Sequence, residues 1–130
     1  PLGSGDLLLS MEPLESLRHV SYLSPEGRLI SAAEGVENIA VYPDMAGITA
    51  AIRSQPGAEI VDAKALAKEA GSLKAVNIVM IGAASSVIPI SPENFLAAID
   101  ERFASKGEKV QEINRAAFRL GSALFSGTHA

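Results

Sequence analysis

Short apolar runs alternate with segments of helical period through the first half of this chain, and nothing else in it restricts the fold as much. Residues 6–11 read DLLLSM, a continuous apolar run of the kind that suits a strand covered on both faces. Pro13 follows where a helix can begin, because proline is tolerated in the first turn. Leu14, Leu17, Val20 and Leu23 then recur at a spacing that makes one apolar face. Ser24-Pro25-Glu26-Gly27 signals a turn. Residues 28–33 (RLISAA) and 39–42 (IAVY) read as the second and third strands. A helix is expected from Pro43 and Asp44 to Arg53, with Met45, Ile48 and Ile52 at helical spacing, ended by Gln55-Pro56-Gly57. Residues 59–63 (EIVDA) read as a fourth strand. Asp62 is placed to cap a helix over 64–70, and Gly71 to close it.

The second half reads as helical. Residues 74–87 are apolar nearly all round, which predicts a central buried helix. Ser91-Pro92-Glu93 places a cap, a first-turn proline and an early acid in succession, a strong start for a helix to about Ser105. Gly107 breaks it. A last helix over 110–125 carries Ile113, Ala117, Leu120 and Leu124 on one side. Strand–helix alternation implies βαβ units. The expected fold is therefore α/β and Rossmann-like, a mostly parallel sheet with helices on both faces and a helical C-terminal half, in one domain over 1–130.

Composition narrows the function by exclusion. The chain has no cysteine, which excludes disulfides, a thiolate nucleophile, a zinc–thiolate site and a Cys-ligated iron–sulfur cluster within it. Cysteine-free composition fits a cytoplasmic protein. Net charge is −4, and the eleven Lys and Arg are scattered among acids, so no basic stripe invites nucleic acid. The longest apolar stretch, residues 75–90, is interrupted by Asn77, two serines and Pro89, and is short for a membrane span. With only His19 and His129 available, a Ser–His–Asp triad would rest almost entirely on His19.

Few residues invite a chemical reading. Gly3-Ser4-Gly5 precedes its strand rather than following it, unlike a phosphate-binding turn. Glu12 and Glu15 read first as the solvated first turn of a helix. Glu12 nevertheless lies with Pro13 at the carboxyl end of an apolar strand, the edge where ligands and partners meet open α/β sheets. Asn77 is the odd residue in an apolar helix. If buried, it must find partners or cost free energy, so it either clamps a loop or meets a ligand or partner. Gly82 would let another backbone approach closely. Asn114 and Arg115 break the last helix's apolar pattern, with Phe118 and Gly121 following. Packing and a solvated Arg are the plain reading there. No self-sufficient active site emerges, and no catalytic or metal-binding residue is assigned.

Three segments taken together carry a resemblance: SMEPLESLR (10–18), VDAKALAKEAGSLKAVNIVMIGAAS (61–85) and KGEKVQEINRAAFRLG (106–121). They resemble the gamma-type subunit or domain of 2-oxoacid:ferredoxin oxidoreductases, and the SMEPLE run favours the indolepyruvate branch, whose beta subunit is the nearest likeness. Residues 34–56 contribute little to it. In that family a segment like the opening PLGSGD falls internally, and a first βα unit with a glycine-rich turn stands upstream. The chain departs from the pattern in lacking that unit, so it is expected to be N-terminally truncated. The resemblance implies a small subunit that completes a complex. It implies a larger partner holding thiamine diphosphate and iron–sulfur clusters, oxidative decarboxylation of an aryl 2-oxoacid to an acyl-coenzyme A, and electrons passed to ferredoxin. It implies no cofactor on this chain itself, and coenzyme A at the subunit interface. Glu12, Pro13, Asn77, Gly82 and Asn114 become candidates for a substrate- or partner-facing edge. Two other readings stay open: a stand-alone Rossmann-like domain binding a nucleotide or small anion, and a structural oligomerisation module using the Ala75 helix or the last helix.

Overall fold

The computed structural model of the chain describes residues 1–33 and 45–125. The strand expected at 39–42, the helix start at Pro43 and Asp44, and His129 lie outside these residues. The chain divides into two compact units, Pro1–Asp62 and Ala63–Ala130.

The first unit is an α/β layer. Strands β1 (Gly5–Ser10), β2 (Leu23–Ala32) and β3 (Ala58–Val61) form a parallel sheet in the order β1-β2-β3. Helix α1 (Pro13–His19) follows β1, and α2 (Met45–Arg53) precedes β3. Leu8 pairs with Leu29, and Leu29 with Ala58. Paired residues share a face of the pleat, and this face carries the unit's core. Leu29, Ile48 and Ile52 are buried there, with Leu14, Leu17, Val20, Leu23 and Met45 packed against them. Leu14 and Leu17 of α1 and Met45, Ile48 and Ile52 of α2 thus point inward as read, whereas Val20 lies in a 3₁₀ turn and Leu23 already begins β2. The opposite face is buried too, with Ile30 at 0% and Val61 at 1% exposure, as a parallel sheet requires.

One boundary differs from expectation. Ser24-Pro25-Glu26-Gly27 is not a turn before the strand but a bulged stretch inside it. Gly5 lies opposite Leu23 whereas Leu7 lies opposite Arg28, so the extra residues leave the ladder and return to it. Pro25 and Glu26 are exposed at the top of the excursion while Gly27 is buried. A Cβ on Gly27 would stand 2.6 Å from the Gly5 carbonyl oxygen. The residues that mark a turn serve equally well to bulge a strand.

The second unit is helical: α3 (Ala63–Ala70), α4 (Val76–Ala84), α5 (Pro92–Phe103) and α6 (Glu108–Ala123). Gly71, at φ +124°, closes α3 as expected. Its N–H donates to Lys68 O and that of Ser72 to Ala67 O, the paired bonds of a Schellman ending. Ser91 caps α5 by accepting from the Asn94 N–H. The predicted buried helix over 74–87 is shorter, a 3₁₀ turn at Leu73–Ala75 running into α4. The predicted face of α6 is rotated. Its buried line is Asn114, Ala117, Phe118 and Gly121, and Leu124 is 43% exposed. No helix among the described residues is long and apolar enough to cross a membrane.

Candidate functional site

In the first unit, Glu12 and Pro13 stand at the carboxyl end of β1. The Ser10 hydroxyl donates to the Glu12 carbonyl at 2.7 Å and accepts from the Glu12 N–H at 3.2 Å, which turns the chain out of the strand. The Glu12 carboxylate then accepts from the N–H groups of Leu14, at 3.1 Å, and Glu15, at 2.7 Å. Both oxygens satisfy donors that the first turn of a helix would otherwise leave orphaned. Pro13 is fully buried. Glu15 pairs with Arg18 at 2.7 Å. The plain reading of the two acids as a helix's first turn therefore accounts for their contacts. His19 is exposed; its Nδ1 donates to the Glu15 carbonyl at 2.9 Å, and its ring stacks on Tyr22. That is no oriented base of the triad kind.

In the second unit the sequence candidates separate. Asn77 is exposed on α4, so the expectation of a buried amide clamping a loop is overturned. A residue that breaks an apolar pattern can do so because it faces outward. Gly82 and Gly121 sit where α4 and α6 cross. A Cβ on Gly82 would collide with the Phe118 carbonyl oxygen, and one on Gly121 with that of Val79. The expected close backbone approach is thus real and runs both ways, and it buries Gly82 inside the unit. Asn114 is the buried amide instead, 5% exposed, with its Nδ2 donating to Val110 O at 2.8 Å. Arg115 is not a solvated cation. It pairs with Asp100 of α5, at 23% side-chain exposure.

Asn114 lines a cavity of about 250 Å³ that the sequence did not reveal. Ala75, Phe103, Val110 and Ile113 form its apolar wall, and Ser72, Lys74 and Lys106 its polar rim. Both lysines lie in 3₁₀ turns, beside the Ser72 cap and beside Gly107 at φ +96°. The breaks in helical pattern near 72 and 107 were visible, but not that they meet.

The residues present do not fit a cysteine-ligated iron–sulfur cluster. There is no cysteine to hold a cluster. Among the described residues no three His, Cys, Asp or Glu side chains are grouped to hold a metal ion, such as the one a diphosphate cofactor needs beside it. Among the described residues, the contacts of Glu12, Glu15 and His19 are those of a helix's first turn and its end.

Residues 1–124 match the family Pyruvate ferredoxin/flavodoxin oxidoreductase. The Indolepyruvate oxidoreductase subunit IorB of Thermococcus kodakarensis is 32% identical over 131 residues, covering 93% of this chain and 63% of the relative. The IorB subunit of Pyrococcus horikoshii is 31% identical with the same coverage. The chain thus spans under two thirds of the length of these curated relatives. The fold is also that of part of a 2-oxoglutarate:ferredoxin oxidoreductase from Magnetococcus marinus, solved with 2-oxoglutarate, coenzyme A and succinyl-CoA bound. The TM-score there is 0.67 at 23% identity, over 95% of this chain and 20% of that one. The three motifs read from the sequence, the parallel α/β layer and the match over residues 1–124 converge, and the chain belongs to the pyruvate ferredoxin/flavodoxin oxidoreductase family.

Proposed function

We propose that the chain is the small-subunit domain of an indolepyruvate-type 2-oxoacid:ferredoxin oxidoreductase, inactive alone and completed by a larger subunit. The observation that carries this reading is the likeness to IorB subunits over 93% of the chain. The partner would hold the thiamine diphosphate and iron–sulfur clusters that carry the chemistry. The complex would decarboxylate an aryl 2-oxoacid oxidatively, form an acyl-coenzyme A and pass electrons to ferredoxin. Coenzyme A would enter where the subunits meet.

Burial divides the five candidate residues. Pro13 and Gly82 are buried within their units and act by shaping them. Glu12 and Asn77 retain surface and are the two proposed to face the partner or the substrate's entrance. Asn114 opens onto the cavity of its own unit.

The test is reconstitution. The chain is co-purified with a thiamine- and cluster-binding large subunit, and aryl-2-oxoacid-dependent, coenzyme A-dependent reduction of a viologen dye is followed. Activity should appear only with both subunits. No stable complex with any such partner, or full activity of the large subunit alone, would overturn the reading.

A further inference from the structure

We propose that the cavity of the helical unit binds a small amphipathic carboxylate, its apolar body against Phe103 and Ile113 and its carboxylate between Lys74 and Lys106. The inference stands apart from the oxidoreductase reading and uses only this unit. Two lysines and no acid line the cavity, although the chain as a whole carries a net charge of −4. Neither lysine is in an ion pair among the described residues. Their backbones are held: the Ser72 hydroxyl accepts the Lys74 N–H at 3.1 Å, and the Gly107 N–H closes the turn that carries Lys106.

The apolar wall argues for more than a bare anion. Phosphate or chloride would leave Phe103, Val110 and Ile113 uncovered, whereas a hydrophobic body removes that surface from water. The Arg102 guanidinium lies 5.5 Å over the Phe103 ring, fixing the wall and adding positive potential beside it. Asn114, 5% exposed, adds a buried polar group to the lining. One amide hydrogen is donated to Val110 O at 2.8 Å, and the second has no partner among the described residues. A buried donor of this kind selects an acceptor on the ligand. At about 250 Å³ the cavity is a little smaller than the roughly 300–1,000 Å³ of drug-sized pockets. One ring or a short chain with a carboxylate fits it, and a nucleotide does not.

Phenylacetate is the probe, with phenylacetamide, acetate and inorganic phosphate as comparisons, titrated into the whole chain while backbone amides are followed by NMR. Phenylacetate should bind saturably, with the largest shifts at Ala75, Val110 and Asn114. The amide and acetate should each bind at least tenfold more weakly, and salt should weaken the acid alone. Lys74→Ala with Lys106→Ala should abolish the preference for acid over amide while leaving the urea midpoint unchanged, since both side chains are exposed. Ile113→Trp should block all binding by filling the cavity. Should that variant fail to fold, the lysine variant still decides. Equal affinity for acid and amide, shifts elsewhere, or no saturation would overturn the proposal. So would phosphate binding as tightly as phenylacetate.

Discussion

Glu12 shows how a residue that looks chemical is accounted for by local structure. Glutamate is not among the preferred helix caps, so the sequence favours reading it as a site residue or a first-turn acid. In the structure its longer side chain folds back to accept from two N–H groups, and Pro13 behind it needs no acceptor at all. Removing the carboxylate should cost what a lost cap costs. Glu12→Ala is expected to lower stability by about 1 kcal/mol, within the 0.5–2 kcal/mol range for caps, and Glu12→Gln to restore part of that. Urea denaturation monitored by circular dichroism measures both. Unchanged midpoints would mean that the cap contributes nothing. Asn77 and Asn114 teach the complementary lesson. Both interrupt apolar helices in the same way on paper, yet one is exposed and the other buried, because only the packing partner decides which side of a helix is inside.

At the scale of elements, the inward faces of α1 and α2 were legible because their apolar residues pack on the sheet, Ile48 and Ile52 fully and Leu14 and Leu17 in part, although Pro13 and Ser16 are the buried residues of α1. Leu14, Leu17, Ile48 and Ile52 are large, and large side chains win the interior where helices lie on a sheet. The face of α6 was misread for the converse reason. Hydropathy favours Leu120 and Leu124 over Gly121 and Asn114, but α4 approaches α6 so closely that glycine defines the contact. Helices that touch backbone to backbone bury their smallest residues. Gly121→Ala and Gly82→Ala should therefore each destabilise the chain by about 1–3 kcal/mol or more, as overpacking does. Alanine's better helix propensity, worth roughly 1 kcal/mol over glycine, does not offset the collision with a main-chain carbonyl. The two changes act on one crossing, so the double variant should lose less than the sum. Thermal or urea unfolding of the three variants gives the answer. A Gly→Ala change that stabilised the chain would show that the helices can move apart freely.

For the whole molecule, the sequence yielded the class of fold and the family, because alternation and three long motifs are spread along the chain. It yielded the cavity not at all, since Lys74, Lys106 and Asn114 meet only through turns whose directions no local pattern specifies. Surface is where the proposed assembly must leave its mark. Leu73 is 50% exposed, and Asn77, four residues on, is exposed beside it along the helical stretch. A large apolar residue and an amide side by side suit the centre of an interface better than bulk solvent. Asn77→Arg tests this without touching the core. Exposed substitutions of this kind usually change stability by no more than about 0.5 kcal/mol, so the isolated chain should unfold as before. In the complex, a buried unpaired guanidinium would be costly, and affinity for the large subunit should fall at least tenfold when measured by surface capture. Dye reduction should then recover at high concentrations of the variant, since the loss lies in assembly and not in chemistry. Unaltered capture would remove Asn77 from the partner-facing surface, leaving Glu12 as its remaining candidate.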